Sequence, residues 1–353
     1  MFYRKICFGF LLIASFNIKA QDASFTQFYN SPLYLNPAFT GCGRSNMRFS
    51  GVAKMQWFNL YQPYKFVTGA LDFSFYDDYL RDICNLGLIV NNESKGPFTN
   101  TSISGIIAKS FGTGNEDCSN WFLSIALQAG YTLSNINKNN LLFIDQIDAN
   151  GPTGLPSQVD LLIAGNKNYA DFSSGFIFTC NNWMIGAAVH HLNEPDISFY
   201  GNPNNSKLPR KFTGHFSYTF DPDDANVKIK PTIIYEAQSV SRSLVMGSLI
   251  DYNELPIEIG LWYRNNFSLS YNNSFSVGLT WKWGAGKNIN SSENEYSWHT
   301  GVSYDAELNK PSAITTYGSS ELGVSKDISL NSGIPCPTAS SGICHYRFPW
   351  EFF

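Results

Sequence analysis

The chain has 353 residues, of which 16% are aromatic and only 15% charged, and its formal net charge is −4. Globular domains average about 25% charged residues, so an ordinary soluble enzyme fits poorly, and the acidic balance excludes a nucleic-acid partner, which needs a basic face. High aromatic content with little charge suits a transmembrane barrel, apolar outside, polar inside and ringed by aromatics at both interfaces.

In chain order, residues 1–20 read as a signal peptide. Arg4 and Lys5 form a basic start, Ile6 to Phe16 an apolar run, and Ala20 a small residue before a cleavage point at Gln21. The run is too short for a spanning helix, which takes about 20 apolar residues; an uncleaved anchor or a buried helix is the other reading. Removing the peptide leaves 21 basic against 28 acidic residues. It also leaves Cys42, Cys84, Cys118, Cys180, Cys336 and Cys344. An even number in an exported chain permits disulfides. Cys336 and Cys344 are near enough in sequence to close a small loop; six free thiols is the alternative. The chain has no CxxC pair, so a zinc site is not expected.

Residues 21–45 include SPLYLNPAFTG (31–41). Pro32 and Pro37 lack backbone donors and cannot sit inside a strand. Ahead of a first strand, such a segment suits a plug or docking surface at the periplasmic mouth of a barrel, or a plain structural cap. Asn36 is placed to hold a turn through its side chain and Gly41 to take a positive φ.

From 46 to 330 the pattern is alternation with period two. WFLSIALQAGYTL (121–133) sets Trp121, Leu123, Ile125, Leu127, Ala129, Tyr131 and Leu133 against Phe122, Ser124, Ala126, Gln128, Gly130 and Thr132. That predicts a strand between lipid and a wet lumen. KFTGHFSYTF (211–220), VKIKPTIIYEA (227–237) and SFSVGLTWKW (274–283) alternate likewise. Further strands are predicted at 46–58, 64–76, 84–92, 101–111, 170–180, 182–191, 243–253, 256–265, 296–305 and 319–329. The total is about 14, an even number as closure of a single-chain barrel requires. Hydrocarbon leaves no backbone donor without a partner, so the sheet must close. A large soluble all-β protein is the runner-up. Asn181-Asn182 and DPDDAN (221–226) read as short turns, 134–169 and 192–210 as long loops, and residues 331–353 as a tail past the last strand.

Chemistry is sparse. His190, His191, Glu194 and Asp196 are the densest set of metal-ligand types. Adjacent strand residues point to opposite faces, however, so His190 is expected in the lumen and His191 outward or into the turn. No GxSxG elbow or P-loop spacing occurs. The expectation is no enzyme, no cofactor and no metal.

Five blocks resemble one family in order along the chain. QDASFTQFYNSPLYLNPAFTG (21–41) holds Leu35-Asn36-Pro37-Ala38-Phe39-Thr40-Gly41. VHHLNEPDISF (189–199), LPRKFTGHFSYTF (208–220), SSELGVSKDIS (319–329) and the Cys-Pro tail ending in Phe353 follow. Together they resemble the PorP/SprF family, outer-membrane proteins of type IX secretion and gliding in Bacteroidota. Ser320 stands where the family often has His, and the tail is less basic than usual. The resemblance implies a non-enzymatic outer-membrane β-barrel. It would help export or anchor a large secreted adhesin-like cargo through that cargo's type-B C-terminal domain, and contact periplasmic secretion components. Tyr34, Leu35, Asn36, Pro37 and Phe39, with Trp350, Phe352 and Phe353 of the tail, are the candidate partner-binding residues. A passive channel for small or hydrophobic solutes is the alternative function. A filled lumen favours the first reading and an open one the second.

Overall fold

The computed structural model describes residues 22–43, 46–76, 82–112, 121–138, 141–158, 164–199, 206–222, 227–252, 255–267, 273–286, 295–308 and 313–328. Fourteen strands form one closed antiparallel barrel. They are β1 (Met47–Gln56), β2 (Tyr64–Tyr76), β3 (Asp82–Lys95), β4 (Phe98–Gly112), β5 (Trp121–Ile136), β6 (Asn166–Cys180) and β7 (Trp183–His190). The second half comprises β8 (Lys211–Tyr218), β9 (Val227–Gln238), β10 (Ser241–Tyr252), β11 (Ile257–Asn266), β12 (Ser274–Gly286), β13 (Glu295–Glu307) and β14 (Ser319–Ile328). Each strand pairs with its sequence neighbours, and β1 with β14 closes the ring. The tail from 331, with Cys336, Cys344, Trp350, Phe352 and Phe353, lies outside the described residues, as do residues 1–20 and Cys118.

Alternation explains the wall. On β5, Ile125, Leu127, Tyr131 and Leu133 are exposed to the lipid side while Phe122, Ser124 and Ala126 are buried inside. On β12, Phe275, Val277, Leu279, Trp281 and Trp283 face out and Ser274, Ser276 and Thr280 face in. Pro231 sits within β9. The ladder to β8 runs to Ser217↔Thr232, skips the proline, and resumes as a single bridge at Phe220↔Ile229. A missing N–H costs one rung there.

Strands β3 to β6 are longer than the sequence pattern indicates. Their extra residues include Glu93 and Asn100, whose side chains bond across the ladder, Asn100 Nδ2 donating to Glu93 Oε2 at 3.3 Å. Past the bilayer both faces of a sheet are wet, so alternation fades although the ladder continues.

The start of β1 and the end of β14 share one rim, here the lower. The connections 77–81, 113–120, 181–182, 219–226, 253–256 and 287–294 also lie there. The opposite, upper rim carries the two long loops, 137–165 and 191–210. Short turns on one rim and long loops on the other mark the lower rim as periplasmic and the upper as external. Aromatics ring both levels. At the lower rim, Trp283 and Trp298 stack at 4.9 Å with Lys326 over the Trp298 ring at 4.4 Å.

Candidate functional site

The lumen is not the open, water-filled space expected from β5, because the protein's own chain occupies it. Residues 22–42 run through it from the upper rim to the lower before turning into β1. Proline breaks this segment into short helices, α1 (Pro32–Leu35) flanked by single 3-10 turns at Phe28–Asn30 and Pro37–Phe39, with each proline in the first turn of its helix. There a proline's missing donor costs nothing. Phe28, Leu33, Ala38, Phe39 and Cys42 pack into one core with Ile89, Ile177, Met184, Leu249 and Trp262 of the wall. The protein's hydrophobic core therefore lies inside the barrel. Two voids beside the plug, one by Phe25 and Tyr34 and one by Asp22 and Gln238, hold about 10 Å³ each, room for one water.

Polar contacts fix the plug at three levels. At the upper rim the Asp22 amide donates to Gln238 Oε1 at 2.9 Å, and Asp22 Oδ2 meets His191 Nε2 at 2.8 Å. His191 Nδ1 meets Asp171 Oδ2, also at 2.8 Å. His191 lies just past β7. Burial opposes its charge, but Asp22 and Asp171 on either side outweigh that and raise its pKa to about 10. Just below, Glu321 accepts the Thr26 and Gln27 amides at 2.9 and 2.8 Å.

In the middle, Asn36 is wholly buried. Its Oδ1 accepts from the Ala38 amide at 2.9 Å, and its Nδ2 reaches Phe176 O, Ala187 O and His215 Nε2 within 3.2 Å. Gly175 makes the approach feasible, since a Cβ there would overlap Asn36 Oδ1. At the lower rim the Gly41 amide donates to Asp72 Oδ2 at 2.8 Å, Arg48 pairs with Asp72 at 3.0 Å, and Arg48 also donates to Phe39 O at 2.9 Å. Gly41 has φ of 75°. Both expectations for Asn36 and Gly41 hold.

The other candidate residues separate. Leu35, Asn36, Pro37 and Phe39 are buried, and Tyr34 is half-buried with its hydroxyl bonded to Ala23 O at 2.9 Å. Their contacts are with the barrel's own wall, so no partner reaches the four buried ones while the plug is seated. His191 is not turned outward. Its backbone is left-handed, φ 58°, which swings the ring back over the lumen. His190 faces in as expected, 3.4 Å from Leu35 O. Glu194 lies by Arg210 at 3.7 Å and Asp196 by Lys167 at 2.8 Å, so the four metal-ligand types go to four separate partners. With a carboxylate on each nitrogen, His191 has no lone pair for a nucleophile.

The sequence reading missed the wall acids that receive the plug, Asp72, Asp171, Asp305 and Glu321. Their signal was a carboxylate on the inward phase of a strand, where wetness would have explained it equally well.

Among the described residues, two upper-rim regions carry the most exposed large apolar groups. Loops 57–63 and 313–318 are tied by Trp57 N to Gly318 O at 2.8 Å and carry Tyr61 and Ile314, 98% and 88% exposed. They sit about ten residues above Phe49, one membrane crossing, hence at the lipid interface. Loop 141–158 is different. β5 runs from Trp121 to Ile136, about five residues more than one membrane crossing takes, so this loop leaves the wall past the end of a crossing. It folds on itself: Asp145 accepts from Ser157 Oγ and the Gln158 amide at 2.8 Å, and Gln146 Nε2 donates to Leu155 O at 2.8 Å. Ser157 is buried in this frame while Leu142, Ile144 and Leu155 are exposed, 54%, 87% and 65%.

A search of curated proteins found no match to the sequence. Among solved structures, the chain is similar to the outer membrane protein Omp33 of Acinetobacter baumannii, at 9% identity over 80% of this chain and 98% of that one, TM-score 0.42. It is similar to the CymD monoaromatic hydrocarbon channel at 10% identity over 88% and 95%, TM-score 0.47. A mutant porin of Rh. blastica matches at 7% identity over 80% and 98%, TM-score 0.33. The family model described as "Type IX secretion system membrane protein PorP/SprF" matches residues 17–325, which take in the plug and thirteen complete strands with most of the last. With a closed fourteen-strand barrel in the outer membrane and a family match over most of its length, the chain belongs to the PorP/SprF family of type IX secretion system membrane proteins.

Proposed function

We propose that this protein is a sealed outer-membrane barrel that holds a secreted surface protein at its external face for type IX secretion, and is neither a conduit nor an enzyme. The observation that carries this reading is the lumen, occupied from rim to rim by the protein's own chain. A solute channel needs a continuous path, and the seated plug stands across it. A partner must then be met on a surface. Loop 141–158 offers one, with aliphatic groups held in water by a hydrogen-bonded frame, which lowers the ordering cost of binding. The family resemblance points to a large cargo bearing a type-B C-terminal domain.

The test is mild-detergent capture of the protein from its native outer membrane, with mass spectrometry of what stays bound. A large secreted protein, or its C-terminal domain, held in a fixed ratio supports the proposal. A barrel recovered alone, together with stepwise conductance in a planar bilayer, would overturn it in favour of the channel.

A further inference from the structure

Thirteen of the fourteen strand pairings join strands connected by a loop, whose length limits the register. The pairing of β1 with β14 has no such loop. Alternation fixes its register only modulo two: a slip of one residue turns every side chain to the wrong face, but a slip of two does not. We propose that plug residues 24–27 set the register in which this barrel closes, so that the sheet closes correctly only around a seated plug.

Lys54 of β1 lies directly opposite Glu321 of β14. Both are buried inside. Lys54 Nζ is 3.0 Å from Glu321 and 3.3 Å from Asp305 of β13. The plug completes this cluster from within. Ser24 O accepts from Lys54 Nζ at 2.7 Å, Glu321 accepts the Thr26 and Gln27 amides, and Thr26 Oγ1 donates to Asp305 at 2.6 Å. Gln27 Nε2 also reaches Glu321 O at 3.0 Å. One short stretch thus grips the first strand and the last two together.

A two-residue slip would set Lys54 against Gly323 or Ser319 and Glu321 against Val52 or Gln56. Ser24 O and the Thr26 and Gln27 amides would then be about 6–7 Å out of step with one of their partners. Glu321 would be left buried without its cation, a costly state. Room for the plug comes from β14 itself. A Cβ at Gly323 would overlap Gln27 Oε1 and lie 2.6 Å from Asn30 Nδ2. The outward residues at the centre of the seam, Gly51, Ala53, Leu322 and Val324, are small or aliphatic and distinguish one register from another poorly.

Refolding of the full chain into detergent, with paired cysteines on the lipid face, tests this. Ala53→Cys with Leu322→Cys reports the native register, because the two are direct partners. Ala53→Cys with Ser320→Cys or Val324→Cys reports a slip. Gly323→Leu, added to each pair, drives Gln27 and Asn30 off the wall. The native cross-link should fall about tenfold, the ratio that ~1.4 kcal/mol of register preference gives. Adding Gln27→Ala and Asn30→Ala, which keeps the amides that bind Glu321, should restore it. Native cross-linking of the Gly323→Leu chain at the parent yield would overturn the proposal. So would a triple variant that stays unclosed, since the glycine would then serve something other than the plug.

Discussion

Asn36 shows how much one side chain can carry in a dry lumen. It caps the 3-10 turn at Pro37 and ties two wall carbonyls and His215 to the plug. Asn36→Ala leaves the Ala38 amide and the Nδ2 acceptors without those bonds inside a packed core. At about 1–3 kcal/mol for each buried group left unsatisfied, the loss should be ~2–4 kcal/mol. It should appear as a lower urea midpoint of the heat-modifiable band, with the barrel still formed. His191 makes a second prediction. Its pKa in the fold, about 10, exceeds the ordinary 6.5, so its contribution is complete below pH 6.5 and disappears as pH rises to 10. Asp22 and Asp171 face its two nitrogens, and Lys211 and His190 stand close to Asp22. Unfolding midpoints should fall between pH 7 and 10 in the parent, and His191→Gln should remove most of that slope. Asn36 and Gly41 were legible because turn chemistry is local. His191 was not, because its inward swing depends on a left-handed backbone that Asn193 helps to hold by donating to Ala170 O and accepting from the Phe172 amide.

At the scale of elements, every predicted strand is present, since lipid on one side imposes strict alternation wherever the sheet crosses it. The same logic failed inside. Inward positions were read as wet, yet Ile89, Ile177, Met184, Leu249 and Trp262 are inward and dry. A strand pattern reports which face meets lipid and says little about what lies opposite. Four of the blocks that carry the family resemblance converge on the plug. LNPAFTG is its lower half, HLNEP places His191 over Asp22, and SSELG supplies Glu321. LPRKF supplies Lys211, which pairs with Glu236 at 2.8 Å and lies 5.4 Å from the Tyr34 ring. In these four blocks the signature is thus a plug and its socket, which separate stretches of sequence could not reveal without the barrel to bring them together. Arg48→Met tests the lower anchor. It strips Asp72 of its cation and Phe39 O of a donor, and removing one partner of a buried pair costs about 3–5 kcal/mol. Arg48→Met with Asp72→Leu should recover part of that loss. A double variant no more stable than the single would show that the pair does not hold the plug.

For the whole molecule, a filled lumen moves function to the surfaces. Reconstituted in a planar bilayer, the parent protein should show no stepwise conductance, because the plug is held at three levels by buried charges and amides. Among the described residues, the most exposed large apolar side chains, Tyr61, Ile314 and Ile144, lie in two regions of the external rim, and height decides what each meets. Tyr61 and Ile314 lie level with the upper ends of the membrane-crossing strands, where lipid can cover them. Ile144 and Leu155 stand on a loop beyond that level, held by its own hydrogen bonds, where water is the default neighbour and a protein the favourable one. Ile144→Asp with Leu155→Asp alters neither that frame nor the wall. The doubly substituted barrel should therefore fold and run on a gel as the parent does, while, on the proposed cargo-holding role, its retention of a secreted protein falls at least about tenfold, as loss of a central apolar contact does. The paired substitution Tyr61→Asp and Ile314→Asp should instead weaken seating in the membrane and leave retention unchanged. Equal retention by the parent and by the Ile144 and Leu155 variant would remove loop 141–158 as the docking surface, while leaving the sealed barrel as it stands.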